Sequence, residues 1–255
     1  MMLSEDQLRS YHENGIVVPD YQFPADLLEG IKADHARLTA RHPEFTDMCP
    51  TVLAYDLCFL NYVRAPGLID MVGQILGPDF ALWNSSFFAK PPFKGRRTPW
   101  HQDGDYWPIR PINTCTVWIA VDDSTPENGC LRVIPGSHKA RRVMTHRMNK
   151  AKDVNLSQEL DPLEYDESQA QDIVLRAGQI SLHDVFLVHG SEPNLSSKPR
   201  RGMTLRFMPT TSVFDRDLAR QQQIDKELGV GHQDRTLFLM RGQDRSGRND
   251  FSFKV

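Results

Sequence analysis

From Phe80 to Met208 the chain is written in short apolar runs of strand length: Ala81–Lys90, Thr114–Val121, Leu131–Ile134, Ile173–Leu175, Gln179–Val188 and Met203–Met208. Clusters of Gly, Pro and Asn separate them. Parallel βαβ units would need an amphipathic helix between successive strands, and none recurs here. The texture predicts a mainly β fold of sandwich or barrel type.

The first third reads differently. Ser4-Glu5-Asp6-Gln7 fits a capping box, Leu8 and Tyr11 follow at helical spacing, and Gly15 stops the helix. Ile16-Val17-Val18 is a short strand candidate. Pro24 opens a second helix with Leu27, Leu28, Ile31 and Leu38 on one stripe, and Pro66 to Leu76 reads as a third, ended by Gly77-Pro78. One domain over 1–255 is expected, with flanking helices in 1–79, a β core in 80–210 and a C-terminal extension in 211–255. The charged stretch 139–171 interrupts the core, as a lid or as a solvated insertion.

Composition narrows the partners. Lys plus Arg is 30 against 33 for Asp plus Glu, a net charge of −3, which argues against a nucleic-acid surface. No apolar run approaches the roughly 20 residues of a membrane helix, so no membrane partner is expected. The acidic, polar start Met1-Met2-Leu3-Ser4-Glu5-Asp6 is unlike a secretory leader. Cys49, Cys58, Cys115 and Cys130 form no C-x-x-C pair and read as reduced thiols of a cytoplasmic protein.

Nine histidines are present. His12, His35, His42, His146 and His232 read as structural or solvent-facing. His101 and Asp103 stand out in Trp100-His101-Gln102-Asp103-Gly104, because residues i and i+2 of a strand point the same way. A second imidazole from a neighbouring strand would complete a two-histidine, one-carboxylate face. That set suits Fe(II) and leaves about three of six positions open. His189, in Val188-His189-Gly190-Ser191, is one candidate and His183 another, since 183, 185, 187 and 189 share one face of a regular strand. Asp105 shares a face with Asp103 if the strand runs on through Gly104, but Asp103 is nearer His101. After the turn that follows His189, a strand pairing antiparallel with the previous one would return Arg200 to the metal end, where a guanidinium can grip a carboxylate.

These residues resemble the phytanoyl-CoA dioxygenase family of Fe(II)/2-oxoglutarate-dependent oxygenases. The resemblance rests on Trp100-His101-Gln102-Asp103-Gly104, on Thr116 to Asp123, on Glu127 to His138, and on His189-Gly190-Ser191 with Asn194 and Arg200. It implies a double-stranded β-helix (jelly-roll, cupin-like) with the N-terminal helices packed outside. It implies that His101, Asp103 and His189 bind Fe(II), and that Arg200 pairs with the distal carboxylate of the cosubstrate 2-oxoglutarate. Asn84, Thr116 and Trp118 are the further candidates for the cosubstrate pocket. The implied activity uses O2 to hydroxylate an unactivated C–H of a small organic molecule, with 2-oxoglutarate leaving as succinate and CO2. Related halogenases lack the carboxylate ligand, so Asp103 favours an oxygenase outcome. Glu127 to His138 reads as turn scaffolding, though Arg132 and His138 could face the pocket, and Tyr106 and Trp107 read as wall. Arg96, Arg97 and Arg110 flank the H-x-D segment, either as solvated loop arginines or as a cationic wall that would suit an anionic substrate. The competing reading is a non-oxidative metal- or ligand-binding β-barrel; an intact triad plus Arg200 exceeds what such a module needs.

Overall fold

Ser4 Oγ accepts from Gln7 N and the Gln7 side chain accepts from Ser4 N, so the capping box opens α1 (Glu5–Asn14), and Gly15 closes it at φ 79°. The computed structural model describes residues 2–228 and 231–251 and the backbone of 253 and 254; residues 1, 229, 230, 252 and 255 of the expected terminal parts lie outside the described residues. After α1 come β1 (Ile16–Val17), α2 (Ala25–Arg41), β2 (Met48–Cys49), α3 (Leu60–Val63) and α4 (Leu68–Leu76). The strands β3 (Phe80–Lys90), β4 (Thr98–His101), β5 (Ile109–Arg110), β6 (Cys115–Ala120), β7 (Leu131–Val133), β8 (His146–Met148) and β9 (Gln158–Leu160) follow. Then come β10 (Gln171–Ile173), β11 (Ile180–Asp184), β12 (His189–Ser191), β13 (Arg200–Pro209) and β14 (Val213–Phe214). The chain continues through α5 (Arg216–Asp225), β15 (Phe238–Arg241) and β16 (Phe253–Lys254).

Two sheets make the sandwich. The larger runs β1-β11-β6-β13-β3-β15-β16 with β2 also on β3, and the smaller runs β10-β7-β12-β4. Their pairings are antiparallel except that of β15 with β16. This is the jelly-roll of a double-stranded β-helix.

Period-two alternation sorts the larger sheet's side chains. Val117, Ile119, Met203, Leu205 and Phe207 join Ile31, Leu38, Phe59, Leu68 and Met71 in one buried cluster, which holds the helices to the sheet's outer face. Thr116, Trp118, Thr204 and Arg206 point the other way, toward the smaller sheet. Strand β3 changes sides midway. Arg206 lies opposite Asn84, but Phe207 lies opposite Leu82, so Trp83 is an extra residue. Such a bulge flips the face of everything beyond it. Phe80 and Leu82 thereby join the helix-side core, while Asn84 and Ser86 lie beside Arg206.

Two strand expectations are corrected. The run Gln179–Val188 is not one strand: Asp184 ends β11, its Oδ1 accepting from Phe186 N at 2.8 Å and its carbonyl from Leu187 N at 3.1 Å. The turn carries His189 into the other sheet, so His183 and His189 do not share a strand face. Likewise β13 pairs with β3 and β6, not with the preceding β12. Arg200 therefore reaches the site from across the sandwich.

Gly202 is where that sheet needs a bare backbone. A Cβ there would sit 2.1 Å from Trp118 Cζ2 and 2.3 Å from Cε2. Gly202→Ala is expected to overpack the strand and cost about 1–3 kcal/mol. A lowered urea midpoint would register the effect; an unchanged midpoint would mean the indole swings aside freely.

Candidate active site

His101 closes β4 and His189 opens β12, directly opposite each other in an antiparallel pair, with ring centroids 4.1 Å apart. The strand stops at His101. Asp103 begins a tight turn, Asp103–Asp105, so the strand-face reason for pairing it with His101 does not hold. The turn does the work instead and brings Asp103 Oδ1 to 3.7 Å from His101 Nε2. One potential ligand atom from each of His101, Asp103 and His189 lies within 4.8 Å of the others, and all three residues are buried.

The outer hydrogen bonds prepare the imidazoles as ligands. His101 Nδ1 is 2.8 Å from Pro99 O and His189 Nδ1 is 2.9 Å from Leu187 O. A carbonyl only accepts, so each Nδ1 carries a proton, and Nε2 is the atom each ring can offer to a metal. Burial, with His101 alongside, holds His189 well below the usual histidine range. Burial disfavours the Asp103 carboxylate, but the adjacent His101 and His183 rings, with His189 and Arg206 nearby, outweigh it and leave its pKa well below normal. Two imidazoles and one carboxylate fit Fe(II).

His183 sits beside this group, its ring 5.0 Å from that of His189 and its Nε2 3.5 Å from Asp103 Oδ2. Asp105 turns away to Lys226, 2.5 Å from its Nζ. His146, which the sequence reading set aside, is buried against the H-x-D turn. Its Nε2 accepts from Gln102 N at 3.0 Å while its Nδ1 donates to Met144 O at 2.9 Å. The Gln102 side chain is bound in turn by Phe186 O and Met144 N. These contacts fix the backbone between His101 and Asp103. The signal was invisible in sequence because it joins residues 44 apart.

A first cavity runs from the triad to Arg200, past Thr116, Trp118 and Thr204. Arg200 is 3% exposed. It donates Nη1 to Phe88 O at 3.0 Å, and its guanidinium carbon lies 5.6 Å from the Trp118 ring centroid. Its Nε and Thr116 Oγ1 are buried without hydrogen-bond partners. Burial lowers the guanidinium to about 10, and among the described residues no carboxylate is paired with it. A buried cation with a spare donor is costly unless an anion meets it. This end of the cavity thus fits a carboxylate.

Lys90 lies opposite Arg200 in the β3–β13 register and is 1% exposed. Its Nζ donates to the carbonyls of Ser191 and Glu192. Burial, reinforced by Arg200, pulls its pKa down to about 6, so at neutral pH the amine is mostly uncharged. An unfolded lysine titrates near 10.4, so between about pH 6 and 10 the unfolded chain binds the extra proton. Stability should therefore rise with pH across that window, by up to about 1.4 kcal/mol per unit from this group. Urea unfolding at several pH values should show Lys90→Met losing that component. An identical slope in the variant would assign it elsewhere.

A second cavity of about 300 Å³ opens on the other side of His101 and Asp103, lined by Asn84, Ser86, Tyr106, Trp107, Arg206, His232 and Arg235 among others. Asn84 faces this cavity rather than the first, and its carbonyl accepts from Arg235 Nη1 at 2.5 Å. Part of the charged stretch 139–171 serves as wall: Asn155, Leu156 and Ser157 line the cavity, and the Tyr106 hydroxyl bonds both N and O of Gln158 at 3.0 Å. The arginines singled out from the sequence are elsewhere. Arg96 pairs with Asp47, Arg97 with Glu159, and Arg110 donates to the carbonyls of Trp107 and Ile109; none lines either cavity. Arg132 pairs with Glu167, Asp172 and Glu192, and His138 bonds His12 O, so both stand outside as well.

The phytanoyl-CoA dioxygenase family model matches residues 11–202. A phytanoyl-CoA dioxygenase domain-containing protein 1 homolog of Caenorhabditis elegans is 34% identical over 210 residues, 80% of this chain and 68% of that protein. A probable alpha-ketoglutarate-dependent hypophosphite dioxygenase of Stutzerimonas stutzeri is 31% identical over 154 residues, 58% of this chain and 51% of that one. The chain spans about half the length, or less, of the first curated relatives it matches. Among solved structures, the apo non-heme monooxygenase ThoJ superposes with a TM-score of 0.73 at 23% identity, covering 97% of this chain and 86% of that one. EctD from S. alaskensis, with 2-oxoglutarate and 5-hydroxyectoine, gives 0.68 at 22% identity, covering 82% and 77%. At these identities the structures speak for the fold.

Proposed function

The chain belongs to the phytanoyl-CoA dioxygenase family, and from that premise we propose that it is an Fe(II)- and 2-oxoglutarate-dependent hydroxylase of a small organic molecule. One observation carries the reading: a buried His101–Asp103–His189 donor set and the unpaired Arg200 guanidinium share a single cavity. A module that only bound metal would have no use for Arg200. In the net reaction the substrate C–H becomes C–OH, one O2 is consumed, and 2-oxoglutarate becomes succinate and CO2.

Each residue's part follows from its position. His101, Asp103 and His189 would hold Fe(II), which supplies the oxygen activation when bound. Arg200 grips the far carboxylate of 2-oxoglutarate, with the Trp118 ring beneath the guanidinium and Thr116 Oγ1 free to donate. His146 and Gln102 keep the H-x-D turn from shifting. Phe88, Arg206 and the triad's His101 and Asp103 border both cavities, so cosubstrate and substrate lie side by side without exchanging places. The three donors are buried, which limits the access of bulk water to them. We place the chain in the cytoplasm, where its free Cys49, Cys58, Cys115 and Cys130 would stay reduced. No described helix is long and apolar enough to cross a membrane.

The direct assay is succinate formation from 2-oxoglutarate under air with added Fe(II), screened against small metabolites and corrected for slow turnover without substrate. Succinate release that needs both Fe(II) and O2 and rises with a particular compound is expected. Its absence across a broad screen, with no background turnover, would count against the reading.

A further inference from the structure

The second cavity contains two buried cations that the fold does not neutralise. Arg206 is 6% and Arg235 7% exposed. Arg206 donates Nη1 to Ser86 Oγ, and its Nε has no partner. Arg235 donates to Asn84 Oδ1, to His232 Nδ1 at 2.9 Å and to Pro50 O at 3.4 Å, all of them uncharged acceptors. Asn84 Nδ2 in turn lies 3.4 Å from Ser86 Oγ, so a ladder of neutral groups links the two guanidiniums. Neither forms an ion pair with a carboxylate among the described residues.

The acidic groups lining this cavity are committed elsewhere. Glu227 pairs with Lys150 at 2.8 Å, and Asp103 belongs to the metal set. Charge can then be followed through the loaded site. Fe(II), the Asp103 carboxylate, doubly charged 2-oxoglutarate and Arg200 cancel. Lys90 is mostly neutral. What remains is the pair Arg206 and Arg235. Burial, and after it the proximity of Arg206, pulls Arg235 down to about 9, so it stays protonated at neutral pH. His232 is neutral, since burial and both arginines push it to about 3, and its Nδ1 accepts from Arg235, which leaves Nε2–H as a further donor. Buried charge without a counter-charge is strongly unfavourable, so the site is completed by an anion.

We infer that the second cavity is an oxyanion subsite, in which Arg206 and Arg235, linked by Asn84 and Ser86, hold the carboxylate or phosphonate head of a small substrate beside the metal centre. Carboxylate and phosphonate share the recognition chemistry, a planar guanidinium donating to paired oxygens. The inference rests on the hydroxylase reading for what happens to the bound molecule, but not for the binding itself.

The test uses anaerobic protein with saturating Fe(II) and 2-oxoglutarate, the state in which the two cations are left over, titrated with butyrate, propylphosphonate and neutral butyramide and followed by calorimetry. Both anions are expected to bind more tightly than the amide, and the tighter of the two names the head group. Arg235→Gln should weaken the anions about 10- to 100-fold, the loss of a charge-assisted hydrogen bond. Arg96→Gln, at a residue outside both cavities, should weaken them less than threefold. Circular dichroism and urea midpoints check folding; if Arg235→Gln does not fold, Arg235→Lys, which keeps charge but loses the fork, should give an intermediate loss. No preference over butyramide, or anion binding unchanged in Arg235→Gln, would overturn the subsite. Anion binding without any 2-oxoglutarate-dependent succinate release would keep the subsite and fail the hydroxylase reading; succinate release without anion preference would do the reverse.

Discussion

His189→Ala should abolish substrate-dependent succinate formation and weaken Fe(II) binding beyond the roughly 10- to 100-fold cost of losing an outer hydrogen-bond partner. The reason is geometric. His189 is the one member of the donor set on β12, and its Nε2 is freed for the metal only because Nδ1 is engaged by Leu187 O. Alanine removes the ligand and leaves the strand pairing to His101 and Val133 in place. Iron affinity under anaerobic conditions, read alongside the urea midpoint, separates a lost ligand from a lost fold. His183 supplies the internal control. His183→Ala should weaken iron far less, because the tight donor group contains His189 and not His183. Equal losses in the two variants would mean that the metal chooses the other imidazole.

Arg200→Ala should raise the dissociation constant of 2-oxoglutarate by about 30-fold to several thousand-fold, the 2–5 kcal/mol typical of removing one side of a buried charge pair. Fe(II) affinity should stay within a few-fold, because Arg200 is not in the donor set. Arg200→Lys should recover only part of the loss, since an ammonium cannot offer two parallel donors from one plane. Parallel loss of iron and cosubstrate would place Arg200 in the scaffold rather than in the cosubstrate's grip.

Much of this is legible in the sequence alone, for identifiable reasons. The capping box at Ser4 and the stop at Gly15 are local, and local rules place them. The strand runs are visible because each inward residue alternates with one that packs on the helices. The break inside Gln179–Val188 was not visible, because the sequence stays apolar through a turn that Asp184 makes with its own side chain. The turn at Asp103 was hidden for a similar reason: one strand residue more or less leaves the H-x-D spacing unchanged. Arg206 could have been placed inward from its even-numbered phase with Arg200 and Thr204 on one strand. Arg235 could not, since it reaches the cavity from a loop 151 residues beyond Asn84, its partner. Arg96, Arg97 and Arg110 lie near the site in sequence, yet partners outside the cavities account for them. Proximity along the chain misled where contacts across the sandwich decide.

One buried cavity joins the His101–Asp103–His189 donor set to the Arg200 guanidinium, and the proposed chemistry needs both ends of it. Anaerobic protein mixed with Fe(II) and then 2-oxoglutarate tests it directly. A visible charge-transfer band should grow with 2-oxoglutarate, be absent with Fe(II) alone, and require far more cosubstrate in Arg200→Ala. Fully iron-loaded protein that stays colourless at saturating 2-oxoglutarate would contradict the account.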